Sequence, residues 1–256
     1  MSDSLLVFGS RPVFMHAHPD DESISTGGTI ALLARRGAQV TILTGTRGER
    51  GEVVPGDLHE LEGTAALGPH RVGELASALR ELGAPAHAFL GTAPARARDR
   101  AEREYSDSGM RWGADGFAEA AEDASPTSLS LAALDEVVDD VLAAATAGRP
   151  TAIVSYDALG GYGHPDHVRM HAAGVEAARR LGVAFFAIVE PRVAGTDDDH
   201  DDELIEVDLL RFDGLAAKTR AMAAHRTQLT VENGSFVLSG GQRHPIGAVE
   251  RFRRLF

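Results

Sequence analysis

The stretch "PVFMHAHPDDESISTGG", residues 12–28, decides the fold. It starts as an apolar run, "VFMHA" (13–17), passes two histidines and three successive carboxylates, and leads into a segment with helical character. A strand that delivers polar residues from its C-terminal end into a helix is the opening of a β-α unit. Burying His16, His18, Asp20, Asp21 and Glu22 without partners would cost roughly 2–7 kcal/mol per unpaired polar group, and more for an ion. Water at a surface loop, a hydrogen-bond network or a metal ion has to compensate them.

The same alternation continues along the chain. Short apolar runs "QVTILT" (39–44), "HAFLG" (87–91), "AIVSY" (152–156) and "VAFFAIV" (183–189) alternate with segments that read as helices about residues 24–36, 70–82, 128–146 and 166–181. In the third of these, Leu131, Leu134, Val138, Val141 and Leu142 recur at helical spacing. The pattern predicts an α/β fold, a doubly wound, largely parallel, Rossmann-like sheet with helices on both faces. After it come a strand-like "LIEV" (204–207), a helix about 208–226, and a final strand and helix. These predict a small C-terminal add-on over about 204–256, within a single domain spanning 1–256 whose core covers about 12–190.

Two long polar segments, "GTRGERGEVVPGD" (45–57) and "GTAPARARDRAEREYSDSGMRWGADG" (91–116), fit no simple β-α unit. Both follow strand C-termini, the edge where open α/β sheets bind ligands. The acidic run "TDDDHDDE" (196–203) reads as a solvated connection.

A formal charge of -13 over 256 residues argues against a nucleic-acid groove or an anionic membrane surface, both of which need a basic face. Small molecules are the expected partners, with no nucleic acid and no membrane. The sequence leaves a homo-oligomer open. There are no cysteines, so a metal would sit on His, Asp or Glu. The N-terminal "MSDSLLVFGS" has no basic region leading into a long apolar core, and no stretch approaches ~18 uninterrupted apolar residues. A soluble, cytoplasmic protein is expected.

The second dense cluster is "YDALGGYGHPDHVRMH" (156–171). The chain thus twice places His-Pro-Asp between a strand and a helix, at His18-Pro19-Asp20 and His164-Pro165-Asp166. One copy alone can be a plain capping turn, since proline suits a helix start and aspartate its N-terminus. In a parallel sheet, however, both loops leave the same edge and can converge. His18, Asp21 and His167 would then form a two-histidine, one-carboxylate set with positions left open for water, as in catalytic rather than structural zinc sites. Asp20 beside that water can take its proton, because a metal lowers the water's pKa toward neutrality. His164 across the pocket can, as imidazolium, stabilise an oxyanion or protonate a leaving amine, and Asp166 can orient a histidine. These roles describe metal-assisted amide or ester hydrolysis. Such a donor set suits Zn²⁺, with Fe²⁺ as the alternative.

"AHPDDE" (17–22) paired with "GYGHPDH" (161–167), with the "GERGEV" loop between them, resembles the LmbE-like, or N-acetylglucosaminyl-phosphatidylinositol de-N-acetylase-like, superfamily of zinc-dependent deacetylases. Within it, "HAHPDDES", "RVGELASALRELG", "DSGM", "YDALGGYGHPDH" and "AAHRTQ" are most similar to the deacetylases of mycothiol biosynthesis, which remove acetate from N-acetylglucosaminyl-inositol. The resemblance implies zinc on His18, Asp21 and His167, Asp20 as general base, His164 as oxyanion or acid residue with Asp166 as its partner, and Tyr162 as a mobile tyrosine at the tetrahedral intermediate. It also implies sugar or inositol contacts from Glu52, Arg71 and Asp107, although Arg71 also reads as a surface ion pair and Asp107 as a turn residue. The region between "VEPR" (189–192) and "LIEV" is shorter than the resemblance leads one to expect.

Several readings stay open. His16 lies two residues before His18 and shares its strand face if the strand continues, which makes it an outer partner of the site or a satisfied core histidine. His171 is expected to pack or meet solvent, and Glu22 to favour the helix N-terminus or to orient a ligand. His225 either reaches the site through the C-terminal helix or stays remote. The rival functions are an amidase of mycothiol conjugates, a deacetylase of another acylated amino sugar, a non-haem iron oxygenase, or a sugar-binding module with a structural metal. A nicotinamide dehydrogenase is disfavoured, because the first strand leads into "HPDDES" and not a phosphate-cradling glycine motif.

Overall fold

All five residues of Pro12–His16, strand β1, are buried, which in an open sheet requires helices on both faces. The computed structural model describes residues 4–114, 118–189 and 204–256. In it β1 lies between two parallel neighbours, β2 (Thr41–Thr44) and β6 (Ala152–Ser155), with Val13 in register with both Thr41 and Ile153. The sheet extends to β3 (Ala86–Phe89) on one side and β7 (Ala184–Ile188) on the other, all parallel. The chain therefore winds outward from β1 through β2 to β3, then returns to the far side of β1 as β6. This reversal opens a crevice at the C-terminal ends of β1 and β6, where open α/β sheets bind ligands.

Strand parity divides the core. Phe14, Ile42, Val154, Phe186 and Ile188 point to one face, under α1 (Asp21–Arg35), α2 (Leu67–Glu81) and α5 (Gly214–Ala224). Val13, Met15, Leu43, Ile153 and Phe185 point to the other, under α3 (Leu134–Gly148) and α4 (Pro165–Leu181). The doubly wound α/β expectation is thus what the chain adopts. Helix α3 starts later than its apolar spacing suggests, because Leu129–Leu131 form a 3₁₀ turn and Ala132 is extended.

The C-terminal part carries the expected strand and helix and departs from expectation after them. After β8 (Leu204–Asp208) and α5, the strands β9 (Leu229–Glu232), β10 (Ser235–Leu238) and β11 (Arg243–Pro245) form a small antiparallel sheet. No closing helix follows. Val249–Arg254 is strand β12, inserted antiparallel between β7 and β8 in the main sheet. Its burial alternates with a period of two, with Glu250 and Phe252 inward, which is a strand's signature rather than a helix's. A short strand in the second polar segment, β4 (Met110–Trp112), pairs with β5 (Ala118–Ala120) just after it. The acidic run 196–203 lies outside the described residues. Among them no helix is long and apolar enough to cross a membrane.

Glu250 ties this late strand to the first helix. Its carboxylate accepts the amides of Gly28 and Thr29 at 3.0 and 2.8 Å and pairs with Lys218 Nζ of α5 at 2.8 Å. Gly28 also permits the close packing of Leu209, whose side chain a Cβ there would overlap. Glu250 and Lys218 are both buried, so Glu250→Ala strands an ammonium and two amides. A loss of about 3–5 kcal/mol in urea unfolding is expected, with a smaller loss when Lys218→Met accompanies it.

Candidate active site

Strand β1 stops at His16, and the chain then turns, so the strand alternation does not carry on to His18. His16 stays on the α1 side, fully buried, with Nε2 3.0 Å from Thr26 Oγ1. It belongs to the core beneath the site. His18 swings into the crevice, its amide donating to Asp21 Oδ2 at 2.9 Å. The second His-Pro-Asp turn is built differently. Here His164 is the N-cap of α4 and Pro165 its first residue, whereas α1 begins only at Asp21, three positions after His18.

The two loops meet. Asp21 Oδ2 lies 3.4 Å from Nδ1 of His18 and 3.5 Å from Nε2 of His167. Donors arranged tetrahedrally at about 2.0–2.1 Å from one ion stand roughly 3.3–3.4 Å apart, which each of these two separations matches, although among the described residues the clusters whose ligand atoms all lie within 4.8 Å of one another do not include Asp21. Both ring nitrogens of His167 are buried without a hydrogen-bond partner, and a bound metal ion would satisfy one of them. His164 lies close by, with ligand atoms of His18, His164 and His167 within 4.8 Å of one another. A second overlapping set contains His18, Asp107, His164 and Asp166. The cluster can hold a metal ion.

The electrostatics separate the groups. Burial works to raise both aspartates. At Asp21 it is outweighed by His167 and His18, which hold the carboxyl well below the usual range. At Asp20 burial prevails over Arg71, and the pKa rises to about 6. Burial, together with His18 and His167, pushes His164 down to about 2. Its Nδ1 accepts the Asp166 amide at 3.2 Å, so the neutral ring carries its proton on Nε2.

The other expected residues distribute unevenly. The Asp166 carboxylate faces His18 Nε2 at 3.2 Å and accepts from Ser108, while only its backbone amide meets His164. Asp107, in the described part (91–114) of the second polar segment, comes within 3.7 Å of His18. Tyr162 stands at the mouth, 39% exposed, its ring 5.4 Å from that of His167. Arg71 is buried and donates to the carbonyls of Gly48 and Pro19, with Nη2 3.3 Å from Asp20 Oδ1. Gly48, at φ +64, has no room for a Cβ beside that guanidinium. Arg71 is therefore not a surface pair; its hydrogen bonds fasten the loop 45–57 beneath Asp20. Glu52 is exposed, and its carboxylate accepts from Ser239 rather than from any member of the cluster. His171 bonds the Tyr156 carbonyl at 2.8 Å and packs on Phe185.

Tyr156, at the end of β6, escaped the sequence reading. It is buried, stacks on His167 at 4.0 Å, donates its hydroxyl to Asp21 Oδ2 at 2.7 Å and accepts the Ala17 amide. It thus orients two of the three expected ligands. Ser108, which holds Asp166 through both its amide and its hydroxyl, was also missed. The only signal was position, one at the end of an apolar strand and one beside Asp107.

A family model described as GlcNAc-PI de-N-acetylase matches residues 13–178. The chain is 38% identical to a protein of Kineococcus radiotolerans named 1D-myo-inositol 2-acetamido-2-deoxy-alpha-D-glucopyranoside deacetylase, over 95% of this chain and 76% of that one. A protein of the same name from Saccharomonospora viridis is 38% identical over 94% of this chain and 93% of its own. Among solved structures, the zinc-inhibited form of teicoplanin deacetylase Orf2 superposes with a TM-score of 0.65 at 20% identity, covering 95% of this chain and 97% of that one. At that identity the likeness speaks for the fold alone.

Replacing Tyr156 by Phe keeps the stack on His167 but removes the hydroxyl from Asp21 and Ala17. Divalent-metal affinity measured by chelator competition is expected to fall about 10–100-fold, with about 1–3 kcal/mol of stability lost to the unsatisfied Ala17 amide.

Proposed function

The chain belongs to the GlcNAc-PI de-N-acetylase family, and from that premise we propose that it removes acetate from N-acetylglucosaminyl-inositol as a zinc-dependent hydrolase. The observation that carries the chemistry is the pair of unpartnered, buried ring nitrogens of His167 beside Asp21, with Asp20 adjacent in the chain. The substrate follows from the relatives' names, borne by proteins that this chain matches over nearly its whole length.

His18, Asp21 and His167 would hold the ion. Bound zinc supplies a Lewis acid that polarises the acetyl carbonyl and makes water acidic near neutrality. Asp20, with its pKa near 6, is ionised at neutral pH yet basic enough to take the proton of the attacking water. It then returns that proton to the departing amine, so that amide and water leave as amine and acetate. His164 acts as a neutral Nε2–H donor to the developing oxyanion, a role that needs no imidazolium. This differs from the charged ring expected from sequence, because Nδ1 is spent on the Asp166 amide and burial disfavours the cation. Tyr162 at the mouth would help bind the tetrahedral intermediate, and Asp107 beside His18 would meet substrate hydroxyls. Arg71 acts on Asp20 and the loop below it, and Glu52 is assigned no contact.

Purified protein, stripped by chelation and reloaded with zinc, should release acetate from N-acetylglucosaminyl-inositol in preference to N-acetylglucosamine. Release from neither, with cleavage of an amide conjugate, would transfer the substrate assignment to that class. Asp20→Asn should retain zinc and lose about 10²–10⁴-fold in kcat; full activity in that variant would remove Asp20 from the base role.

A further inference from the structure

Glu22 and His225 are motif residues that the chemistry above leaves unused. They are 203 positions apart and both fully buried. His225, the C-cap of α5, places Nε2 2.8 Å from Glu22 Oε1, which also accepts from Ser23 Oγ at 2.5 Å. The other oxygen, Oε2, accepts the backbone amide of Asp20 at 3.0 Å. Asp20 itself is strained, with φ 127 and ψ -32, a region that non-glycine residues occupy only where the surroundings over-determine it.

Two anchors over-determine this residue. Glu22 grips its amide from one side, while Arg71 holds the Pro19 carbonyl and stands against the Asp20 carboxylate from the other. We infer that Glu22 and His225 are positioning residues for Asp20: His225 fixes the Glu22 carboxylate, and Glu22 locks the Asp20 peptide in the conformation that presents its side chain to the site. The C-terminal helix then contributes to the reaction without touching substrate. This inference rests on the reading of Asp20 as the base.

The competing account makes the pair a staple between α5 and α1, which would change stability and leave turnover per folded molecule alone. Full-length, zinc-loaded enzyme carrying Glu22→Gln, His225→Ala or His225→Gln separates the two. Glu22→Gln is isosteric and should fold even where His225→Ala does not. Glu22→Gln and His225→Ala should lower kcat about 10–100-fold, with KM and zinc content within about twofold. In His225→Gln the side-chain amide nitrogen reaches the place of Nε2, so kcat should recover to within about threefold of wild type. The Asp20 amide proton, shifted downfield by its carboxylate acceptor, should move upfield in the two disruptive variants and return in His225→Gln. Unchanged kcat in Glu22→Gln, or an Asp20 resonance that stays in place, would overturn the inference. Should the wild type release no acetate, the functional reading fails by itself, and the Asp20 resonance still decides whether Glu22 and His225 hold this residue.

Discussion

A single carboxylate oxygen, Oδ2 of Asp21, joins the two halves of the sheet. It receives the His18 amide from the loop after β1 and the Tyr156 hydroxyl from the end of β6, and it stands against the imidazole of His167 from α4. Each group leaves a different element at the point where the strand order reverses, and each would be costly to bury alone. Their mutual compensation lets the crevice close around polar chemistry rather than open to water. Moving any one of the three elements would leave an unpaired charge or an orphaned hydroxyl.

The architecture was legible because β-α alternation is a periodic signal. The apolar runs of β1, β2, β3, β6 and β7 stand out, and proline inside the second His-Pro-Asp marks the helix start. The two motifs could be matched for the same reason, since strands of like direction deliver their C-terminal ends to one edge. What stayed hidden was non-local. β12 reads as polar, because four of its six residues are charged and its inward Glu250 satisfies helix amides far away in sequence. His16 looked like a neighbour of His18 only if the strand ran on, which the turn at Ala17 prevents.

The same distinction applies within the site. Histidine and aspartate at matched spacing advertise themselves, whereas the residues that aim them do not. Tyr156 looks like the end of an apolar strand, Ser108 like a turn residue, and Arg71 like one more charge on an amphipathic helix. Arg71 works through backbone carbonyls of Gly48 and Pro19, and no pattern in its own helix announces them. A side chain's role depends here on which carbonyl or carboxylate folding brings beneath it.

The insertion of β12 between β7 and β8 has a consequence for biosynthesis. While the chain emerges from the ribosome, the parallel strands can assemble in order, yet the outer edge of β7 stays without its partner until residues 249–254 have been made. An unpaired edge is a template for association with other chains, and distant pairings form late because loop closure must precede them. The nascent protein therefore passes through a stage with its β-α core formed and one sticky border exposed. During that stage chaperone protection matters more than it does for the finished molecule.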